Sequence, residues 1–242
     1  MNFFGFEGAA RLWTVFEYVD ASYATKLLPD YVRLASSSEF PRGMHPMMYS
    51  FGTQTVALRP FTWLKTSYRE SIIGVCSVEL KNASSQGRYS LMTATPVSNL
   101  LAMLLGRLFG FPKTMKRLSA ADREFTIATL LSNRLMVSNV FQPDGPPFAS
   151  TNDSRLRTVA SFLAHPIISR APWGPLLSSR FQINKDGWKV TPVTALGRIK
   201  AEDLAGLPGG RYPWPPVDGV ALGTFLTEHR WQANLPSIVW RR

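Results

Sequence analysis

The chain has 242 residues, of which 45% are hydrophobic and 18% charged. That composition excludes a disordered polymer or a coiled coil and suits one folded domain spanning residues 1–242. Lysine and arginine outnumber aspartate and glutamate by 27 to 16, a formal charge of +11, so the surface attracts anions such as nucleic acid, anionic lipid or a carboxylate substrate.

Taken in order, the N-terminal stretch MNFFGFEGAARLW lacks a basic segment followed by an apolar core, and it carries Glu7, so no targeting segment is expected. Residues 11–18, RLWTVFEY, read as a strand. Asp20 then caps a short helix, ASYATKLL, which Pro29 and Asp30 end. YVRLA, MMYSFGTQTVALR, YRESIIGVCSVEL and YSLMTAT follow as strands, with a turn over residues 82–88. Thr95 and Pro96 read as the cap and first turn of a second helix. In it Val97, Leu100, Leu101, Leu104, Leu105 and Leu108 recur at helical spacing, which predicts a core helix laid against the sheet and ending near Gly110. This run is interrupted by Asn99 and Arg107 and is shorter than the roughly 20 residues of a membrane span, so a soluble, cytoplasmic protein is expected. EFTIATLL, NRLMVSNVF, SSRFQIN and GWKVTPVTAL return to strand. RLRTVASFL (155–163) is ambiguous between helix and strand, and GLPGGRYPWPP (206–216) reads as loop. The expected class is mainly antiparallel β with a few short helices.

Familiar catalytic motifs are absent: there is no GxSxG elbow, phosphate-binding glycine loop, HExxH or paired CxxC. Cys76 stands alone and reads as a buried small hydrophobe. His45, His165 and His229 show no metal-ligand spacing, so no metal is expected. The basic residues are spread along the chain without the signature of an RNA or DNA reader, so nucleic acid is not an expected partner. What stands out is Lys113 in GFPKTMKRL. It follows a glycine, an aromatic residue and a proline at the end of the apolar run, where it either snorkels to solvent or is held in a dry site.

An aromatic N-terminal strand, the LLPDYVRLA segment, an acidic residue in SYRESIIGV and an apolar helix running into GFPK together resemble the acetoacetate decarboxylase superfamily. The resemblance covers about Arg11 to Arg117. It implies a cone-like double β-barrel and a homo-oligomer. It further implies that Lys113 forms a Schiff base with a ketone or keto acid, that Glu70 moves protons or orients the substrate, and that Arg11 and Gln54 contact it. An imine is its own electron sink, so no cofactor is implied. An amine must be neutral to attack a carbonyl, whereas a solvated lysine has a pKa of roughly 10.4, so burial or a nearby cation has to free its lone pair. Two positions depart from the decarboxylase pattern. Thr114 stands where those enzymes have a second lysine, and Gln54 and Thr55 are nearest to where they have a further glutamate. The chain therefore reads as a divergent member whose lysine serves decarboxylation or aldol and dehydration chemistry. An imine-independent cyclase or isomerase, or a protein that binds a small molecule or polyanion without chemistry, stands as the alternative.

Overall fold

Apolar residues alternate with others over longer stretches than the short segments expected, so the central strands are long. β1 (Gly5–Asp20), β3 (Met44–Arg59) and β4 (Lys65–Leu80) each run for 16 residues. The computed structural model describes residues 4–38, 40–81, 87–148, 156–170, 174–184, 188–199, 210–212 and 223–240. The turn expected at 82–88 lies mostly outside them. Helix α1 (Ala21–Lys26) follows β1, and the Asp20 side chain accepts a hydrogen bond from the Ser22 amide at 2.7 Å, the cap read from sequence. β2 (Val32–Leu34) pairs with β4.

β1 lies antiparallel between β3 and β15 (Thr224–Asn234), and β4 continues the sheet from β3 to β5 (Tyr89–Val97). Beyond β5, two short strands run parallel to it, β6 (Lys113–Met115) and β10 (Ile167–Arg170). The other flank passes from β15 through β13 (Lys189–Ile199) and β9 (Leu135–Pro143) to β8 (Glu124–Ala128) and β7 (Arg117–Ala121). The path of pairing has two unjoined ends among the described residues. Among the described residues the sheet is therefore open and does not close into the cone-like double barrel expected.

Strand alternation divides the molecule. On one face Trp13, Val15, Tyr49, Phe51 and Val75 meet Phe125, Phe141 and Val193 in the main core, where the Trp13 and Phe141 rings stack at 5.1 Å. On the other face the same strands line a cavity.

Helix α2 (Leu100–Leu108) corrects two expectations. Its cap is Asn99, whose side chain accepts from the Ala102 amide at 2.9 Å, while Thr95 to Val97 complete β5. Nor does its leucine stripe face the core. Ala102 and Gly106 turn inward, and Leu100, Leu101, Leu104 and Leu108 are each more than half exposed. Small residues are needed beneath because the helix sits against a side chain, Lys113, and over a cavity rather than on a flat apolar sheet. Helix α3 (Arg157–Ala164) resolves the ambiguous RLRTVASFL segment. Within the expected 206–216 loop, Gly210–Tyr212 form strand β14, which pairs with β13. The rest of that loop lies outside the described residues. Among the described residues no helix is long and apolar enough to cross a membrane.

Candidate active site

Three of the four expected site residues come together, Gln54 from β3, Glu70 from β4 and Lys113 from β6. Directly paired residues of antiparallel strands point to the same side of the sheet. Gln54 pairs with Tyr68, and Gly52 pairs with Glu70. Tyr68 and Glu70 are two apart on β4, so both enter the cavity, and Gln54 enters beside them.

Lys113 arrives from the other side. After α2, Gly110 adopts φ +83°, the left-handed turn that ends a helix at low cost for glycine. The Phe111 amide closes back on the Gly106 carbonyl at 2.9 Å. The chain then enters β6, where Lys113 pairs with Thr95 of β5. Arg107 Nε donates to the Lys113 carbonyl at 2.7 Å and ties the strand to the helix. The aliphatic part of Lys113 passes directly over Gly106, so that a Cβ there would come within 2.3 Å of the lysine Cδ. Gly106 is what lets the lysine lie flat between helix and sheet.

Lys113 is only 8% exposed and Glu70 only 3%. The lysine Nζ donates to Tyr68 Oη at 2.9 Å and is ion-paired with Glu70 Oε1. It also lies 4.7 Å from the Tyr68 ring centroid. Gln54 Nε2 donates to the other oxygen of Glu70 at 2.5 Å. Burial alone would lower the Lys113 pKa, but the Glu70 carboxylate and the Tyr68 oxygen outweigh it, and the ammonium is held above the ordinary lysine value. Burial, reinforced by Glu70, pushes the Tyr68 hydroxyl up to about 12. Tyr68 therefore keeps its proton at neutral pH, and that proton is free to be donated because the lysine uses only the oxygen.

The cavity above this group has a volume of about 190 Å³. Its walls are chiefly apolar and aromatic, including Phe6, Phe109, Phe111, Phe181 and Trp231. Among the described residues the charged side chains lining it are Lys113 and Glu70 alone. In such surroundings charge interactions are strong and unpaired charge is costly.

Arg11 is not part of the site. Ala10 and Leu12 take the cavity positions of β1, so Arg11 points to the opposite face. There it pairs with Glu228 at 3.2 Å, with both side chains about half exposed, and lies 5.5 Å from the Trp13 ring centroid. One step along a strand separates the two faces, which is why the expected substrate contact fails. Thr55, by the same alternation, is turned away and bonds Ser67 at 2.7 Å. His45 is buried, with Nε2 2.7 Å from the Cys76 carbonyl, and Trp63 is exposed near the tip of the β3–β4 hairpin. Tyr68 reads from sequence as a residue that could line a pocket, with core packing the preferred role, and His229 was not singled out as part of the site, yet both line the cavity. Tyr68 was recoverable, since a residue two before Glu70 shares its face. His229 lies 116 positions beyond Lys113, and no local pattern marks it.

No family model and no curated protein matches the chain. Solved structures do. The enduracididine biosynthesis enzyme MppR, complexed with pyruvate, aligns over 98% of this chain and 90% of its own, with a TM-score of 0.66 and 13% identity. An acetoacetate decarboxylase-like enzyme from Sphingomonas wittichii RW1 aligns over 100% and 95%, with a TM-score of 0.65 and 11% identity. Acetoacetate decarboxylase from Legionella pneumophila aligns over 100% and 90%, with a TM-score of 0.62 and 12% identity. The chain has the acetoacetate decarboxylase-like fold. It is a divergent example, and the likeness extends through the C-terminal half, where the sequence resemblance had faded.

Proposed function

We propose that the protein is a lyase that forms a Schiff base between Lys113 and the carbonyl of a ketone or keto acid. The observation that carries this reading is a buried primary amine held between a carboxylate and a protonated tyrosine at the wall of an apolar cavity. Glu70 takes a proton from the lysine ammonium, and the freed lone pair attacks the carbonyl carbon. Tyr68 donates to the oxygen as it becomes a hydroxyl, and the tyrosinate takes a proton back from the new C–N nitrogen, leaving a neutral carbinolamine and Tyr68 reprotonated. Glu70 then returns its proton so that the hydroxyl leaves as water, which yields the iminium. Gln54 holds the second oxygen of Glu70 and fixes the direction of these transfers. The iminium accepts the electron pair released when a neighbouring carbon–carbon or carbon–hydrogen bond breaks. MppR, with the same fold, has been seen with the condensation product of pyruvate and imidazole 4-carboxaldehyde, which supports carbonyl condensation chemistry here.

A second reading rests on the raised Lys113 pKa. As a permanent ammonium, Lys113 would polarise a substrate oxygen without bonding to carbon, giving an imine-independent cyclase or isomerase. Exchange of α-protons of small ketones for deuterium, followed by mass spectrometry, separates the two. The Schiff-base reading expects exchange by wild-type protein and only background exchange by both Lys113→Ala and Lys113→Arg. Full exchange by Lys113→Arg, which keeps a cation but forms no imine, contradicts it. In the proposed setting the enzyme works in the cytoplasm without a cofactor. It assembles with further copies of itself through α2, because Leu100, Leu101, Leu104, Leu105 and Leu108 on this one short helix are all exposed.

A further inference from the structure

We infer that His229 is a substrate-binding residue at the far side of the cavity. The compound it holds has a planar apolar body, an oxygen opposite its reactive carbonyl, and no carboxylate. This rests on the reading of Lys113 as the group that meets the carbonyl.

The placement follows from register. Tyr68 pairs with Gln54, Gln54 with Ala10, and Ala10 with His229. These four side chains form one row across β4, β3, β1 and β15, all turned to the cavity. His229 is thus two strands from Gln54, about 10 Å at the usual strand spacing. Only the methyl group of Ala10 stands between them. A compound anchored at Lys113 therefore has a clear floor leading to the imidazole. The walls beside this path are aromatic: Phe181 meets Trp231 edge to face at 5.1 Å, and Phe111 lies 6.4 Å from Phe181. Such rings receive a flat apolar body.

His229 itself is uncommitted. Its Nδ1 is buried without a hydrogen-bond partner, and no described residue bonds its Nε2. An imidazole left unsatisfied in an apolar cavity is costly unless something completes it, and a ligand hydroxyl or carbonyl does so. Burial lowers its pKa to about 4, so it faces the cavity at neutral pH as an uncharged ring, able to donate from one nitrogen and accept at the other. The charges that line the cavity among the described residues, Lys113 and Glu70, already neutralise each other. A substrate carboxylate would find no free cation there and would face Glu70. The Arg11 guanidinium that was expected to receive one is on the other side of the sheet.

The test measures equilibrium dissociation constants of three probes by tryptophan fluorescence: 2-acetylnaphthalene, 6-hydroxy-2-acetylnaphthalene and 6-acetyl-2-naphthoic acid. Wild-type protein is expected to bind the hydroxylated ketone about tenfold more tightly than the unsubstituted one, one hydrogen bond's worth, and the acid more weakly than either. His229→Phe should bind the two neutral ketones equally within about twofold, and His229→Asn should restore part of the preference. A hydroxyl preference that survives in His229→Phe, acid binding as tight as that of the hydroxylated ketone, or no binding of either neutral ketone overturns the inference. The same constants measured in a Lys113→Ala background, where no imine can form, should keep the hydroxyl preference, so the inference holds or fails independently of imine formation.

Discussion

The site turns on one unusual pair of residues. A lysine that is to act as a nucleophile is commonly pictured with a lowered pKa, yet Lys113 is held above the ordinary value because Glu70 and Tyr68 outweigh the effect of burial. The pair stores the proton rather than expelling it, and in the proposed mechanism the carboxylate that stabilises the ammonium is the base that removes its proton when a carbonyl arrives. The sign for stability follows directly: a raised lysine pKa contributes stability that is fully present below about 10.4 and is lost as pH rises through the folded value. Glu17 behaves in the opposite sense. Its side chain is largely buried, Oε2 has no hydrogen-bond partner, and burial raises its pKa to about 7. The unfolded chain releases this proton first, so stability falls as pH rises from about 4.5 to 7, by about 3 kcal/mol. Glu17→Gln is therefore expected to stabilise the protein by up to that amount at pH 8 and hardly at all at pH 4, as read from urea unfolding at the two pH values. Equal effects at both would contradict it. At this scale Lys113, Glu70 and Gln54 were legible in the sequence because each lies in or beside a short, ordered motif. Arg11 was misplaced because the face of a strand depends on a single-residue register.

Among the elements, α2 shows what periodicity can and cannot tell. The leucine spacing correctly announced a helix, but an amphipathic stripe does not say what covers it. The inward face is set instead by Ala102 and Gly106, and Gly106 is small because the Lys113 side chain runs across it. Gly106→Ala tests this link. In an isolated helix the change would add about 1 kcal/mol of stability. Here the new methyl pushes against the middle of a side chain whose end is pinned by Tyr68 and Glu70. The expected result is little loss of melting temperature with about a 10²-fold fall in ketone α-proton exchange, the scale of a displacement of about 1 Å at a reacting group. An unchanged exchange rate would show that the lysine does not need that path. The cap was misread for a related reason: Thr95-Pro96 is a good helix start in isolation, but pairing of β5 with β6 claims both residues for the sheet.

For the molecule as a whole, the mainly β class was legible from alternation, and the similarity in fold to enzymes at 11–13% identity agrees with it. Whether the sheet closes was not legible, because closure depends on pairings between strands distant in sequence. Nor could the cavity be read as one, since its lining is assembled from positions as far apart as Phe6 and Asn234. The exposed leucines of α2 belong to this scale as well. Light scattering should give a mass of at least two chains for wild-type protein at micromolar concentration and a smaller assembly for Leu104→Glu. A wild-type monomer would contradict assembly through that face. The central claim, a covalent bond between Lys113 and a carbonyl carbon, is tested most directly by reducing the protein with borohydride in the presence of a ketone and measuring its intact mass. A ketone-sized mass increase that maps to Lys113 and is absent in Lys113→Ala is the predicted result. No adduct with a ketone whose α-protons the protein demonstrably exchanges would contradict it.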